Sequence, residues 1–483
     1  MKKTLLFIIS YMLISLIVLL WLGYLRPSPD PLESRIDQAG ALIKKHQQEE
    51  CIPGIQFTLI DQYHIDSSIS MGKMNQLNQQ KVTDQTLFFA QSMTKTMTAV
   101  LILNLVEEGQ LKLEDYLYQH IPDHLLDSIP SIYHQQTIED ILTHHALFPL
   151  GDFHKMYAFD DPSIPELEQS IIDDLTHMDP KEGFSYSNVG YHLLEIIINY
   201  RSGMSYASYA RNVIFEPLDL HQSYFTHEDI NLDHVAKGYD EFHHEIAPYR
   251  YPEQSSGGLL TTSRDYATFL IGLFQGKLLS NDMLDQLIIP SSLQQSVYRF
   301  VFDGYGKGIF IDYVNDDILI SHGGQGRGYM AYFQLNITDG TGFVMLANSQ
   351  RSYPLIASLA HLVSNQTEGH PGLYVIRYLQ FGSSLLLALL ITLSISMIFR
   401  FTKKRNLYSS MISSMRLILS TLTLILSIIW MKESYTFLHV LIPREYEHLI
   451  MMLYITSLIG IIDALVFSPV LHQKGGEKSA YLT

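Results

Sequence analysis

The tetrapeptide Ser92-Met93-Thr94-Lys95 stands near the start of a long apolar segment that runs from Phe88 to Gly109. The segment predicts a largely buried helix that ends at Gly109. Residues three apart share one helix face, so the Ser92 hydroxyl and the Lys95 amine are expected to meet. A serine becomes a strong nucleophile when an adjacent base takes its proton, and a lysine can be that base if burial depresses its pKa. The pair alone is a weak signal, because two fixed residues in four recur by chance.

A second polar constellation, Phe184-Ser185-Tyr186-Ser187-Asn188, precedes a segment of helical periodicity from Val189 to Tyr200. A tyrosine phenol can relay a proton to a leaving group, and an asparagine amide can bond a substrate carbonyl. Ser187 or Asn188 could equally cap the following helix. The two interpretations are compatible.

A third constellation, Ser321-His322-Gly323-Gly324-Gln325-Gly326, follows the apolar run Ile318 to Ile320 and is typical of a strand end that lines a cleft. Glycines there would let a substrate backbone approach closely. A backbone N–H of this segment could complete an oxyanion hole with that of Ser92. The alternative is an ordinary glycine-rich turn.

Short apolar runs at both ends of this region predict strands. Residues 55–60 and Tyr63-His64-Ile65 predict a hairpin, and residues 34–47 predict a helix before it. Four runs separated by glycine and aspartate turns predict an antiparallel meander, at residues 308–311, 318–321, 329–335 and 342–347. Strands at both ends with helices between them predict one α+β domain whose terminal strands share a sheet.

Together the motifs stand in the order Ser-x-x-Lys, Tyr-x-Asn, His-x-Gly, and here the sequence resembles the superfamily of class C β-lactamases and D-alanyl-D-alanine carboxypeptidases, in its esterase-like branch. The resemblance covers about Ile52 to Leu362 and implies a β-lactamase/transpeptidase-like fold, with an antiparallel sheet flanked by helices plus an all-helical subdomain. The framework segments that also match are Gly109 to Asp115, Leu142 to His145, Ile214 to Leu218, Gly257 to Thr262 and Gly304-Tyr305-Gly306.

Residue by residue, the resemblance implies three catalytic roles. Ser92 would be the acyl-accepting nucleophile, Lys95 its base and Tyr186 the proton relay. The substrate-binding and oxyanion residues that it implies are Asn188, His322, Gly324 and Gln325, with the backbone N–H groups of Ser92 and Gln325 forming the oxyanion hole. No cofactor is expected, and no metal site either, because the histidines show no convincing metal-ligand spacing.

The chain departs from that family at two places. His322 stands where true β-lactamases have a lysine, so a fixed positive charge for the β-lactam carboxylate is missing. Arg327 could substitute for it, or could be an exposed loop arginine. The segment His145-Ala146-Leu147-Phe148 replaces the usual Thr-Ser-Gly-Leu.

Membrane segments are expected because 47% of the 483 residues are hydrophobic and mean hydropathy is +0.08. An uncharged run from Thr4 to Leu25 follows two lysines and predicts an uncleaved anchor over residues 1–26 rather than a cleaved signal peptide. Three more spans are predicted in residues 373–471, at about 378–399, 411–431 and 449–471. Within the last two, Arg416 and Asp463 are expected to form an ion pair, unless Arg416 reaches the headgroups instead.

Basic residues set the expected topology. The lysines at the N-terminus, the basic loop Arg400 to Arg405 and the tail 472–483 are all predicted to be cytoplasmic. Both termini then face the cytoplasm of a multi-pass protein in a bacterial cell membrane. The hydrolase domain, residues 33–365, is extracytoplasmic. The transmembrane helices could also pair two copies into a homodimer.

Charge and cysteine content exclude other classes. A net charge of −17 does not suit a nucleic-acid-binding protein. One cysteine, Cys51, forms neither an internal disulfide nor a zinc–thiolate site, and it is expected to be a small buried apolar residue.

The expected function is therefore hydrolysis of an amide or ester in a D-amino-acid peptide or acylated small molecule, through a Ser92 acyl-enzyme outside the membrane. A narrower resemblance is to membrane peptidases that remove an N-acyl-D-asparagine prodrug motif from exported nonribosomal peptides. Those enzymes have asparagine where this chain has Gly326, and serine where it has Asn188. A catalytically silent, penicillin-binding-like sensor is a third alternative.

Overall fold

The computed structural model describes residues 9–17, 34–152, 155–294, 296–364, 371–402, 415–425 and 443–466. Residue contacts divide the chain into two units. One unit is continuous, Pro31–Val375, and contains the sheets. The other combines Met1–Asp30 with Ile376–Thr483 and contains the long apolar helices.

An antiparallel sheet of eight strands forms the centre of unit Pro31–Val375. Its strands are β1 (Gly54–Asp61), β2 (His64–Asn75), β3 (Gln80–Lys81), β9 (Gly304–Tyr305), β10 (Phe310–Val314), β11 (Asp317–Gly326), β12 (Tyr329–Asn336) and β13 (Gly342–Ala347). They lie side by side in the order β3-β2-β1-β13-β12-β11-β10-β9. Strand β1 pairs with β13, with Phe57 opposite Met345. The predicted hairpin, meander and shared terminal strands are confirmed.

Two small sheets complete the strands: β4 (Phe88–Phe89), β8 (Leu259–Thr261) and β5 (Tyr224–Phe225) in one, β6 (Gly238–Tyr239) and β7 (Glu245–Ile246) in the other. The α-helices of this unit are α1 (Arg35–Glu49), α2 (Thr94–Glu107), α3 (Asp123–Leu126), α4 (Ile138–Leu142), α5 (Leu167–His177), α6 (Asn188–Ser202), α7 (Tyr206–Ala210), α8 (Ser263–Phe274), α9 (Asn281–Ile288) and α10 (Tyr353–Val363). Between β4 and β5 the described residues form helices, loops and isolated bridges, as expected of a helical subdomain.

Helices cover both faces of the sheet. Helices α1 and α10 lie on one face, where His46 Nε2 lies 3.0 Å from Ser358 Oγ. Helix α8 lies on the other, where Thr58 Oγ1 is 2.8 Å from Ser263 Oγ. Strand β1 is therefore buried on both faces from Gly54 to Ile60, although its sequence alternates like a half-exposed strand.

Two local expectations are wrong. The segment from Phe88 does not continue as one helix, because its first residues form β4, residues 91–93 form a 3-10 turn and α2 begins only at Thr94. Pairing of Phe89 with Leu260 of β8 overrides the helical pattern there. Cys51 is exposed rather than buried, because it forms the tight turn between α1 and β1, with φ of 56°.

Among the described residues, two helices, Pro371–Thr402 and Pro443–Val466, are long and apolar enough to cross a membrane. Their candidate spans, Tyr378–Ile398 and Tyr446–Val466, belong to the other unit. Of the predicted span 411–431 the structure describes the apolar helix Met415–Ile425, and of the N-terminal anchor only residues 9–17. The remaining parts of those two predictions lie outside the described residues. Arg416 Nη1 lies 2.8 Å from Asp463 Oδ2, and Asp463 is buried, so the predicted ion pair is confirmed.

Candidate active site

A sharp turn presents Ser92 to solvent. After β4 the chain adopts φ of 50° at Gln91, a left-handed conformation that costs a non-glycine residue about 1–2 kcal/mol. Hydrogen bonds hold this turn in place: Gln91 Nε2 donates to Tyr249 Oη at 3.0 Å, and Thr94 Oγ1 donates to the Gln91 carbonyl at 2.6 Å. Ser92 is left half-buried at the wall of a cleft.

Strand β11 packs directly against this turn, and that contact explains two of its glycines. A Cβ at Gly324 would collide with the Ala90 carbonyl oxygen, and one at Gly326 with the Gln91 side chain. The sequence suggested that the glycines make room for substrate. The structure shows that they make room for the segment that carries Ser92.

Lys95 lies on the first turn of α2 and is fully buried. Its Nζ is 3.3 Å from Ser92 Oγ, 2.7 Å from Asn188 Oδ1 and 2.9 Å from the Ser256 carbonyl oxygen. The last two atoms can only accept, so each takes one N–H of the amine. A neutral amine has two hydrogens, and its lone pair is then directed to the Ser92 hydroxyl.

The electrostatics of Lys95 agree with that geometry. Burial lowers the pKa of Lys95 to about 7, and the nearby Glu253 carboxylate opposes this shift. A lysine with a pKa near neutrality carries a free lone pair in a large fraction of molecules at neutral pH. The geometry therefore suits proton transfer from Ser92 to Lys95.

The Ser256 carbonyl is positioned by a buried carboxylate. Glu195, on α6, accepts from the backbone N–H groups of Gln254 at 2.8 Å and Ser255 at 2.9 Å. Thr98 Oγ1 also donates to the Ser255 carbonyl at 2.6 Å. These bonds fix the loop before β8, so that its next carbonyl faces the lysine. Sequence reasoning missed Glu195 because a lone glutamate in a helical pattern gives no signal of burial.

Tyr186 packs beside Lys95, whose Nζ lies 4.9 Å from the centre of the tyrosine ring. Burial raises the pKa of Tyr186 well above its usual value, and the nearby Ser92 hydroxyl only partly opposes this. The Tyr186 hydroxyl is buried, and no contact to another described residue has the geometry of a hydrogen bond. A phenol that keeps its proton suits donation to a leaving group better than base catalysis.

A chain of hydrogen bonds behind Tyr186 fixes the proton positions on two histidines. The Ser187 N–H donates to His144 Nδ1 at 3.1 Å, so the His144 proton is on Nε2, which lies 3.2 Å from Tyr305 Oη. His322 Nδ1 lies 2.7 Å from the Gly323 carbonyl, to which it must donate. Its Nε2 is then an acceptor, 3.3 Å from Tyr305 Oη. Tyr305 thus accepts from one histidine and donates to the other.

His144 and His322, the two histidines of this hydrogen-bond network, are held neutral. Burial, followed by the charge of Lys95, lowers the pKa of His322 to about 3, and the same two causes lower the pKa of His144 well below its usual value. His144 was recognised from sequence only as part of a matching framework segment, and Tyr305 likewise. Their motifs could have suggested a role, but only the fold brings them to His322.

Ser92 lines a cleft that is connected to solvent. Residues that line it include Ser92, Asp152, Asn188, His192, Glu253 and Gln325. Asn188 Oδ1 is taken by Lys95, so its amide nitrogen is the atom that can donate to a substrate. His322 and Gly324 are buried behind this lining, and their neighbour Gln325 is the member of the motif that reaches the cleft.

Comparisons with known proteins agree with this fold. The sequence profile described as Beta-lactamase matches residues 39–367, and the chain belongs to that family. Protein flp of Staphylococcus aureus strain COL is 24% identical over 341 residues, 69% of this chain and 66% of that protein. A penicillin-binding protein of Bacillus subtilis strain 168 is 27% identical over 305 residues, 58% of this chain and 65% of that protein. The matches span just under two thirds of the length of these curated relatives.

Solved structures of the same fold include the octameric penicillin-binding protein homologue from Pyrococcus abyssi, with a TM-score of 0.60 and 27% identity over 71% of this chain and 81% of that one. The D-amino acid amidase from Ochrobactrum anthropi SV3 has a TM-score of 0.58 and 23% identity, over 66% of this chain and 92% of that one. The β-lactamase/transpeptidase-like α+β fold is confirmed. Proteins of this family are serine hydrolases that act on amides and esters.

Proposed function

We propose that this protein is a membrane-anchored serine hydrolase that cleaves an amide or ester through an acyl-enzyme on Ser92, in a hydrolase domain outside the cytoplasm. The observation that carries the proposal is that two oxygens, Asn188 Oδ1 and the Ser256 carbonyl, accept the N–H groups of Lys95. This arrangement leaves the lysine lone pair, rather than an N–H, for the Ser92 hydroxyl.

The reaction would proceed in two halves. Lys95 takes the Ser92 proton while Oγ bonds to the carbonyl carbon, and the backbone N–H groups of Ser92 and Gln325 stabilise the oxyanion. The carbon–nitrogen or carbon–oxygen bond then breaks, and the leaving group receives a proton through Tyr186. Water attacks the acyl-enzyme, gives a proton back through the same groups and releases the acid.

Membrane attachment and orientation are parts of the same proposal. Two long apolar helices and the confirmed Arg416–Asp463 pair support a helical membrane unit. The distribution of lysine and arginine in the sequence supports cytoplasmic termini. The same unit could carry a homodimer contact.

Covalent labelling tests the proposal. Membranes that contain wild-type, Ser92→Ala or Ser70→Ala protein are treated with a fluorophosphonate or a fluorescent penicillin, and adducts are mapped by mass spectrometry. Ser70 is an exposed strand serine and serves as the matched control. We expect fluorophosphonate on Ser92 in the wild type and the control, and none in Ser92→Ala. Folded protein that neither probe labels would favour the silent sensor instead. The penicillin result shows whether the cleft accepts a mimic of a D-peptide.

A further inference from the structure

The charges that line the cleft are negative. Asp152 and Glu253 line the same cleft as Ser92, and among its described lining residues there is no lysine or arginine. Lys95 lies beneath Ser92, fully buried.

The site is also poorly built for a substrate carboxylate. His322 occupies the position where a lysine would hold such a group, but it is neutral and both ring nitrogens are used, by Tyr305 and the Gly323 carbonyl. Arg327 is exposed and is not a lining residue of the cleft. An anionic group beside the reacting carbonyl would meet two carboxylates and, among the described lining residues, no lysine or arginine.

A histidine binds one of these two carboxylates. His192 lines the cleft, and its Nε2 lies 3.1 Å from Glu253 Oε1, so the ring donates from Nε2 to the carboxylate. The two carboxylates form an environment that suits a group with several N–H donors and a positive charge.

We propose that the cleft selects substrates with a protonated amino group close to the scissile carbonyl, and that Asp152 and Glu253 hold that ammonium. This inference rests on the proposed Ser92 hydrolase and specifies its substrate class: amides or esters of free amino acids, or peptides cut next to a free N-terminus. Peptides that are recognised by a terminal carboxylate are disfavoured.

Paired substrates test the proposal on the full-length protein in detergent. The p-nitroanilides of D- and L-alanine are compared with their N-acetyl forms at about pH 7, where most α-amino groups are protonated. A charge-assisted hydrogen bond favours the free amine by about tenfold to a hundredfold in kcat/KM. We expect that ratio in the wild type for the preferred enantiomer. We expect it to fall towards one in Asp152→Asn and Glu253→Gln.

Asp316→Asn is the control, because it removes one carboxylate from an exposed turn outside the cleft and should keep the ratio. Asp152 is only partly buried, so its variant remains informative if Glu253→Gln does not fold. A wild type that cleaves the N-acetyl substrate as well as the free amine overturns the proposal, as does a ratio that neither variant changes. If either of these results is found while fluorophosphonate still labels Ser92, only the proposed substrate class is wrong. If there is neither labelling nor Ser92-dependent turnover, the proposed function fails with it.

Discussion

Replacing Lys95 with methionine tests the central electrostatic claim without relying on a substrate. Lys95→Met keeps a long apolar side chain in the fully buried site and removes a group whose charge should change near neutrality. In the folded protein the pKa of Lys95 is about 7, whereas an unfolded lysine titrates near 10.4. Between those values the unfolded chain binds more protons, so the wild type gains stability as the pH rises.

The expected magnitude follows from linkage. Below about pH 7 the buried amine is charged in both states, and the mismatch in pKa costs the folded protein about 5 kcal/mol. By about pH 9 the folded amine is neutral, and roughly 2 kcal/mol of that cost has gone. The difference in unfolding free energy between wild type and Lys95→Met should therefore move by about 2 kcal/mol in favour of the wild type from pH 7 to 9. The hydrogen bonds of Lys95 that the variant loses change this difference by the same amount at every pH.

Urea denaturation followed by the near-ultraviolet circular dichroism of tyrosine measures the difference. Tryptophan fluorescence would not serve, because Trp21 and Trp430 both lie outside unit Pro31–Val375. Lys112→Met, at an exposed position, controls for the loss of a lysine in general. If the unfolding free energy of the wild type minus that of the variant stays constant or falls from pH 7 to 9, the pKa of Lys95 is not depressed. The wild-type kcat/KM should rise through the same pKa, because only neutral Lys95 accepts the Ser92 proton.

Three further variants test separate contacts. Tyr305→Phe leaves two buried histidine nitrogens without partners and should lower the unfolding free energy by about 2–4 kcal/mol, measured by the same denaturation. Gly324→Ala should abolish fluorophosphonate labelling, because its Cβ collides with the turn that carries the nucleophile; Gly323→Ala, which meets only the Tyr332 ring at 3.6 Å, should retain it. Asp463→Asn should lower the melting temperature of the membrane unit, followed by tryptophan fluorescence, and an unchanged transition would show that the ion pair is dispensable.

Much of the fold could be predicted because its signals are local. Alternating apolar residues and turn chemistry placed the hairpin and the meander, and the periodicity from Val189 placed α6. Of the two candidate caps, Ser187 and Asn188, the structure selects Ser187. The start of α2 was wrong because Phe88 and Phe89 suit a helix and a strand equally, and only pairing with the distant β8 selects the strand. The exposure of Cys51 depends on a tight turn that its residue type does not suggest.

The candidate site also has features that the sequence predicts and features that it does not. The proximity of Ser92 and Lys95 follows from their spacing along one helical stretch. The groups that set the charge of Lys95 could not be predicted, because the Ser256 carbonyl and the Glu253 carboxylate come from a loop about 160 residues further along the chain. Contacts of that separation have no local pattern. The neutrality of His322 is a further example, since it depends on Tyr305 and on burial.

Substrate recognition and base strength are coupled through Glu253. Its negative charge is the influence that raises the pKa of Lys95 against the effect of burial. An ammonium group bound beside Glu253 would cancel much of that field and so lower the pKa of Lys95 further. The enzyme–substrate complex would then contain more neutral lysine than the free enzyme at the same pH. For an amine substrate the acidic limb of kcat should lie at lower pH than that of kcat/KM, because the two profiles report the complex and the free enzyme. For the N-acetyl substrate, which brings no charge to Glu253, the two limbs should coincide.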